Sequence, residues 1–259
     1  MSLEDEFMSK IVGTNILTIG TTESGKTYLC IKILYRLLEE KKYDQYHLVL
    51  PHYKTEMNNS YAFLKQFKQH VYIYNKYDDI IVDRINSIKD KQSIFFLIDD
   101  ATGYIDNSQT KLQQLMTGNR HGEHGKSTIW IIGHGAKIAK RNLRNVVKYI
   151  FITTILNRKV LYDIYEEFLS MKYENVKEGW LQFYNNYQES LNEKYHQLCI
   201  SLINNGIINI DYNVNKWKIL NIDTKTKQKP IETTKQTKEQ PKKQIVIQSE
   251  RLRRLNFLK

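Results

Sequence analysis

The sequence predicts an α/β fold in which a mainly parallel sheet lies between two helical layers. Three observations carry that prediction. An apolar, β-branched run, Asn15-Ile16-Leu17-Thr18-Ile19, feeds a glycine-bounded loop from Gly20 to Thr27, and an amphipathic helical pattern leaves that loop at once. A second run, Ser93-Ile94-Phe95-Phe96-Leu97-Ile98, holds five consecutive apolar residues, as central parallel strands do when both faces are covered, and ends on Asp99-Asp100. Shorter runs at 46–50, 71–74, 128–132 and 149–153 alternate with helical or polar stretches; five strands joined by helices suffice for such a sheet, with right-handed crossovers.

The first loop has the Gly-x-x-x-x-Gly-Lys-Thr spacing of a phosphate-binding loop. Gly20 and Gly25 let the backbone close on an anion, so that successive N–H groups point at phosphate oxygens, and the helix that follows adds the positive end of its dipole. The candidate nucleotide-binding residues are Gly20, Thr21, Thr22, Glu23, Ser24, Gly25, Lys26, Thr27 and Tyr28. Lys26 is placed to reach the β- and γ-phosphates as a mobile charge, and the Thr27 hydroxyl is a natural ligand for the Mg²⁺ that bridges them.

Taken in order, the helix after the loop runs to about Lys42, with Leu29, Ile33, Leu34, Leu37 and Leu38 on one face. The polar run Lys54 to Ser60 and the Phe63/Phe67 spacing predict a loop and a helix, and Asp78 to Lys89 carries a helical stripe of Ile81, Ile85 and Ile88. Asp99 and Asp100 then stand at the C-terminal end of their strand, where open α/β sheets place ligands. In this Walker B pattern Asp99 holds Mg²⁺ through a water and Asp100 is the base that polarises the attacking water. A short helix is expected over 108–116, with Leu112, Leu115 and Met116 apolar, followed by a Gly-, His- and charge-rich loop over 117–126. His121, His124 and His134 lack the spacing of a zinc site. Residues 157–204 read as mainly helical, their aromatics Tyr173, Trp180, Phe183, Tyr184, Tyr187 and Tyr195 serving as core, and Ile207–Tyr212 with Lys216–Ile222 form a terminal hairpin.

The net charge of +11 points to a polyanionic partner, but residues 224–259 hold eight Lys and three Arg against three Glu, a net +8, which leaves the rest nearly balanced. That tail is too poor in apolar residues to offset its ordering entropy and is expected to be disordered, apart from Leu252, Leu255 and Leu258 at helical spacing beside three arginines. The predicted organisation is a core over 1–156, a helical and hairpin extension over 157–223 and the basic tail. Cys30 and Cys199 read as buried thiols of a reducing compartment. The acidic opening is unlike a signal peptide and no run reaches a membrane span, so a soluble, intracellular protein is expected.

Gly20 to Thr27, the strand ending Asp99-Asp100, Leu-x-x-Leu-Met-Thr-x-x-Arg-His at 112–121 and Leu143-Arg144-Asn145 together resemble the viral genome-packaging ATPases of the FtsK–HerA superfamily, the poxvirus and virophage type. The resemblance covers roughly residues 10–155. It implies a P-loop NTPase of the ASCE, RecA-like kind, a three-layer αβα sandwich, using ATP and Mg²⁺ to move double-stranded DNA into a preformed capsid. It also implies a homo-oligomeric ring, hexameric or pentameric, with ATP between subunits, acting at the virus-assembly site of the host cell and carried in the virion. Arg120 is then the finger that reaches the next protomer's γ-phosphate, with Arg144 in reserve as sensor or finger. Where relatives commonly carry a Gln sensor, this chain has Gly133-His134, so either His134 hydrogen-bonds the γ-phosphate or the water in its place, or the sensor is missing. The basic tail is a candidate contact for a capsid vertex protein. Other readings of the loop are a DNA motor of the segregation or conjugation type and a nucleoside kinase; the Asp99-Asp100 pair suits water activation better than an acceptor pocket.

Overall fold

Alternation decides how the strands sit. In β1 (Asn15–Ile19) Ile16 packs on one face of the sheet while Leu17 and Ile19 pack on the other; in β4 (Ile94–Ile98) Phe95 and Leu97 oppose Ile94, Phe96 and Ile98. Both faces are apolar, so both must be covered. The computed structural model describes residues 3–51, 60–88, 92–101, 110–120, 127–134, 145–191, 197–202, 206–210 and 218–220. Among these the sheet has nine strands, in the order β3-β2-β4-β5-β1-β6-β7-β8-β9. The others are β2 (Gln45–Val49), β3 (Val71–Tyr74), β5 (Thr128–Gly133), β6 (Tyr149–Ile152), β7 (Gln197–Ser201), β8 (Gly206–Ile210) and β9 (Lys218–Leu220). The first six are parallel and the last three antiparallel.

One face is covered by α1 (Leu3–Ile11) and α2 (Lys26–Glu39), whose Met8, Ile11, Leu29, Ile33, Leu34 and Leu37 bury against Ile16, Phe95, Trp130 and Phe151. The opposite face is covered by α3 (Asp79–Asn86), α4 (Thr110–Arg120), α5 (Arg158–Phe168) and α6 (Val176–Leu191). Their Ile81, Leu112, Met116, Leu161, Ile164 and Phe183 meet Leu17, Phe96, Ile131 and Ile150. The result is a three-layer αβα sandwich. Cys30 and Cys199 are both buried and form no disulfide, and burial pushes the Cys199 thiol up. No helix among the described residues is long and apolar enough to cross a membrane.

The structure differs from the sequence reading in two places. The helix expected over 108–116 is longer and extends through Gly118 to Arg120, because its C-terminal turn is tied to the sheet: Asn119 Nδ2 donates to Asn15 Oδ1 (3.0 Å) and Asn15 Nδ2 donates to Met116 O (2.9 Å) and Val146 O (3.1 Å). The stretch read as helical to 204 contains β7, which pairs antiparallel with β6 from Tyr149↔Ser201 to Ile152↔Leu198 and carries the sheet on from the core. The terminal hairpin is present as β8 and β9, paired antiparallel, with 211–217 and 221–222 outside the described residues. Met1–Lys225 form one compact unit; the tail from 226 onward lies outside the described residues.

The strand next to the sheet edge carries a buried titratable group. His47 on β2 is fully buried, stacks on Tyr72 with ring centroids 4.9 Å apart, hydrogen-bonds Tyr74 Oη at 3.0 Å through Nδ1, and lies 3.1 Å from Gln45 Oε1 through Nε2. Desolvation, helped by the Arg84 charge, depresses its pKa to about 4. The unfolded chain protonates His47 near the ordinary value of 6.5 while the folded chain does not, so stability is fully present above about 6.5 and falls as the pH drops towards 4. The loss expected over that window is on the order of 3 kcal/mol. Denaturant midpoints between pH 7 and pH 4 measure it, and His47→Gln should flatten that part of the profile.

Candidate nucleotide site

The P-loop's path follows from two tight contacts. Gly20 N donates to Gly133 O (3.3 Å), and a Cβ placed on Gly20 would lie 1.6 Å from Thr153 Oγ1, so only glycine passes there. Thr21 N and Oγ1 both donate to Thr154 O, at 2.8 and 3.0 Å. Ser24 Oγ donates to Thr21 O at 2.7 Å and shares a 2.5 Å hydrogen bond with Thr153 Oγ1. Gly25, with φ 86°, turns the chain into α2 through the left-handed region. From β7, Gln197 Nε2 donates to Gly25 O at 3.2 Å and braces the same turn. The loop is thus held from the strand ends of β5, β6 and β7.

Lys26 is the first residue of α2 and is 93% buried by the loop around it, with only 7% of its surface exposed. Its ammonium donates to Gly20 O at 3.0 Å and to Thr21 O, and lies 3.4 Å from His134 Nδ1. His134 follows β5, the strand inserted between β1 and β4, so it stands between the P-loop and the two aspartates. Its Nε2 is 3.2 Å from Asp100 Oδ1. A neutral ring protonated at Nε2 satisfies both contacts, accepting from Lys26 and donating to Asp100. Asp100 has φ 59°, a left-handed conformation that costs a residue with a Cβ about a kcal/mol or more and is characteristic of functional turns.

Asp99 is fully buried. Thr27 Oγ1 donates to its carboxylate, at 3.2 Å from Oδ2 and 3.5 Å from Oδ1, and Tyr61 Oη donates to Oδ2 at 2.7 Å. Thr22, Glu23, Ser24, Gly25, Lys26, Thr27, Tyr28, Asp99, Asp100 and His134 line one cleft of about 730 Å³, joined by Ile31 and Ser60. The cleft lies at the C-terminal ends of β1, β4 and β5, where an α/β sheet receives its ligand. Tyr28 is half exposed at the rim, with Lys32 Nζ 4.9 Å above its ring.

One sequence-selected residue, Arg120, is elsewhere. The backbone of Arg120 closes α4 next to Asn119, which bonds to Asn15 at the start of β1, so it lies at the opposite end of that strand from the P-loop. Arg144 lies outside the described residues, as do His121 and His124. Sequence reasoning missed Tyr61, Thr153 and Gln197. Thr153 follows an evident strand and was open to being found; Tyr61 and Gln197 come from segments whose distance from the loop in the chain gives no local signal.

Among family models none matches this chain, and none of the curated proteins does. Solved structures do match. The DNA-packaging ATPase B204 from Sulfolobus turreted icosahedral virus aligns with a TM-score of 0.54 at 14% identity, covering 81% of this chain and 97% of that one. The genome packaging NTPase B204 from Sulfolobus turreted icosahedral virus 2 in complex with AMP gives 0.52 at 16% identity, over 75% and 95% of the two chains. The same protein in complex with ATP-gammaS gives 0.51 at 15%, over 80% and 95%. At these identities the likeness is one of fold, and it spans nearly the whole of each neighbour: the chain has the α/β P-loop fold of the viral genome-packaging NTPases.

Proposed function

We propose that this protein is an ATP-driven double-stranded DNA translocase that loads a viral genome into a preformed capsid, acting as a hexameric or pentameric ring with ATP between subunits. The observation that carries the reading is the cleft in which Lys26, Thr27, Asp99, Asp100 and His134 converge from separate strand ends. Likeness of fold to proteins described as packaging ATPases supports it, as do the motifs at 112–121 and 143–145.

The residues present suit a nucleoside triphosphate with Mg²⁺. No group of three or more His, Cys, Asp or Glu among the described residues could hold a metal by itself. Thr27 and Asp99 offer hard oxygen donors of the kind Mg²⁺ accepts when phosphates and water complete its shell. Bound there, Mg²⁺ neutralises charge that develops on the phosphate oxygens. The loop N–H groups and the α2 dipole bind the β- and γ-phosphates. Lys26 exchanges the Gly20 and Thr21 carbonyls for phosphate oxygens. Asp100 orients a water and takes its proton as the new O–P bond forms and the bond to ADP breaks, and His134 couples that carboxylate to Lys26.

Arg120 acts on a neighbour's site. β1 puts about five residues at ~3.3 Å each between the level of Asn15 and the loop, some 16 Å, which an arginine side chain does not span. The basic tail is suited to DNA phosphates and to an acidic capsid vertex surface.

The test is ATPase activity with and without DNA. Double-stranded DNA of any sequence should stimulate turnover, and the stimulation should fall steeply between 50 and 200 mM salt, by about 10³ in apparent affinity if six or more phosphates are contacted. An ATPase indifferent to DNA overturns the translocase reading.

A further inference from the structure

We infer that Tyr61 is a positioning residue for Asp99, fixing the carboxylate that faces the metal in the reading proposed above, on which this inference rests. Tyr61 begins a 3₁₀ turn, Ala62–Phe67, in the connection between β2 and β3, and is 97% buried, with 3% of its surface exposed. It does not line the cleft; its neighbour Ser60 does. The phenol therefore reaches Asp99 from behind the site.

The geometry is selective. Tyr61 Oη donates to Oδ2 at 2.7 Å, the distance of a charge-assisted hydrogen bond, and Thr27 Oγ1 is also nearer to Oδ2 (3.2 Å) than to Oδ1 (3.5 Å). Two hydroxyls from different segments thus draw on the same carboxylate oxygen and set the plane of the group. The backbone adds a third restraint, since Asp99 N donates to Val49 O at 3.0 Å. Thr27 cannot do this alone: its hydroxyl has one proton, and its lone pairs are what a metal would use. Without the phenol, a fully buried carboxylate loses a strong donor and one of its orientational restraints.

The ring itself fills space, packing near Phe63 with centroids 6.4 Å apart. Tyr61→Phe keeps that packing and deletes only the donor. Partners of this kind are typically worth about 10–100-fold in metal affinity or activity.

The experiment is a Mg²⁺ titration of the full chain with a fluorescent ATP analogue, run beside the same binding measurement in chelator. For Tyr61→Phe we expect nucleotide affinity in chelator within about twofold of wild type, and the Mg²⁺ concentration for half-maximal effect raised about tenfold. In an Asp99→Asn background the Tyr61→Phe change should add less than about twofold, because its target charge is gone. Should Phe not fold, Tyr61→Met removes the same donor with an apolar filler and the same outcomes apply. An unchanged Mg²⁺ requirement, or equal weakening with and without metal, overturns the role of Tyr61 and leaves the ATPase reading standing. A wild-type protein whose nucleotide affinity ignores Mg²⁺ overturns that reading and this inference together.

Discussion

Replacing Arg120 with Ala is expected to lower ATP turnover of the assembled protein by about 10³-fold or more while leaving nucleotide affinity within a few-fold, because a finger supplied from a neighbour acts on the transition state and not on the bound ground state. The placement of its backbone, at the end of α4 beside Asn15, gives the prediction its second half. In the proposed ring Arg120 and Lys26 would belong to different sites, so mixing Arg120→Ala with Lys26→Ala subunits should recover part of the activity. Steady-state hydrolysis and binding of a fluorescent analogue measure both. Mixed rings that demonstrably form and stay fully inactive would count against the finger; an Arg120→Ala protein with near wild-type turnover would remove it.

The second large effect is expected at Asp100. Asp100→Asn should reduce hydrolysis by about 10²–10⁴-fold, the usual contribution of a positioned general base, with ATP binding retained. Asn is the informative replacement. It tolerates the left-handed backbone at φ 59° as well as Asp does and keeps an oxygen for His134 Nε2, so the change removes charge without altering the turn. Phosphate release in a single turnover reads the chemistry directly; a rate within threefold of wild type would take the base role away from this residue.

The parts of the fold that were legible in the sequence are those that depend on local pattern. Ile94–Ile98 is apolar on both faces and could only be a covered strand, and Gly20 to Thr27 announces its turn by glycine spacing. What could not be read depends on contacts distant in the chain. Gly118 suggested a break, yet α4 continues because Asn15, 104 residues from Asn119, supplies side-chain partners to its last turn. Gln197-Leu-Cys-Ile-Ser is too short for periodicity to separate strand from helix, and it follows an aromatic helix whose apolar spacing runs on into it; pairing with β6 decides the matter. In the cleft, the residues on the loop and at the strand ends were visible. Tyr61 was not, since a tyrosine in a polar and aromatic segment carries no mark of the carboxylate that it will meet 38 residues later.

The hydrogen bond from Gln197 to Gly25 spans 172 residues. It ties the shape of an N-terminal loop to a strand made much later in synthesis. The phosphate loop of a nascent chain that has not yet reached β7 therefore lacks one of its braces, and closing so long a separation is among the slower events in folding. On the reading proposed above, nucleotide binding would be a late property of the chain: the cleft gains its full bracing only when the antiparallel half of the sheet has docked, so ATP would select finished molecules over partly made ones.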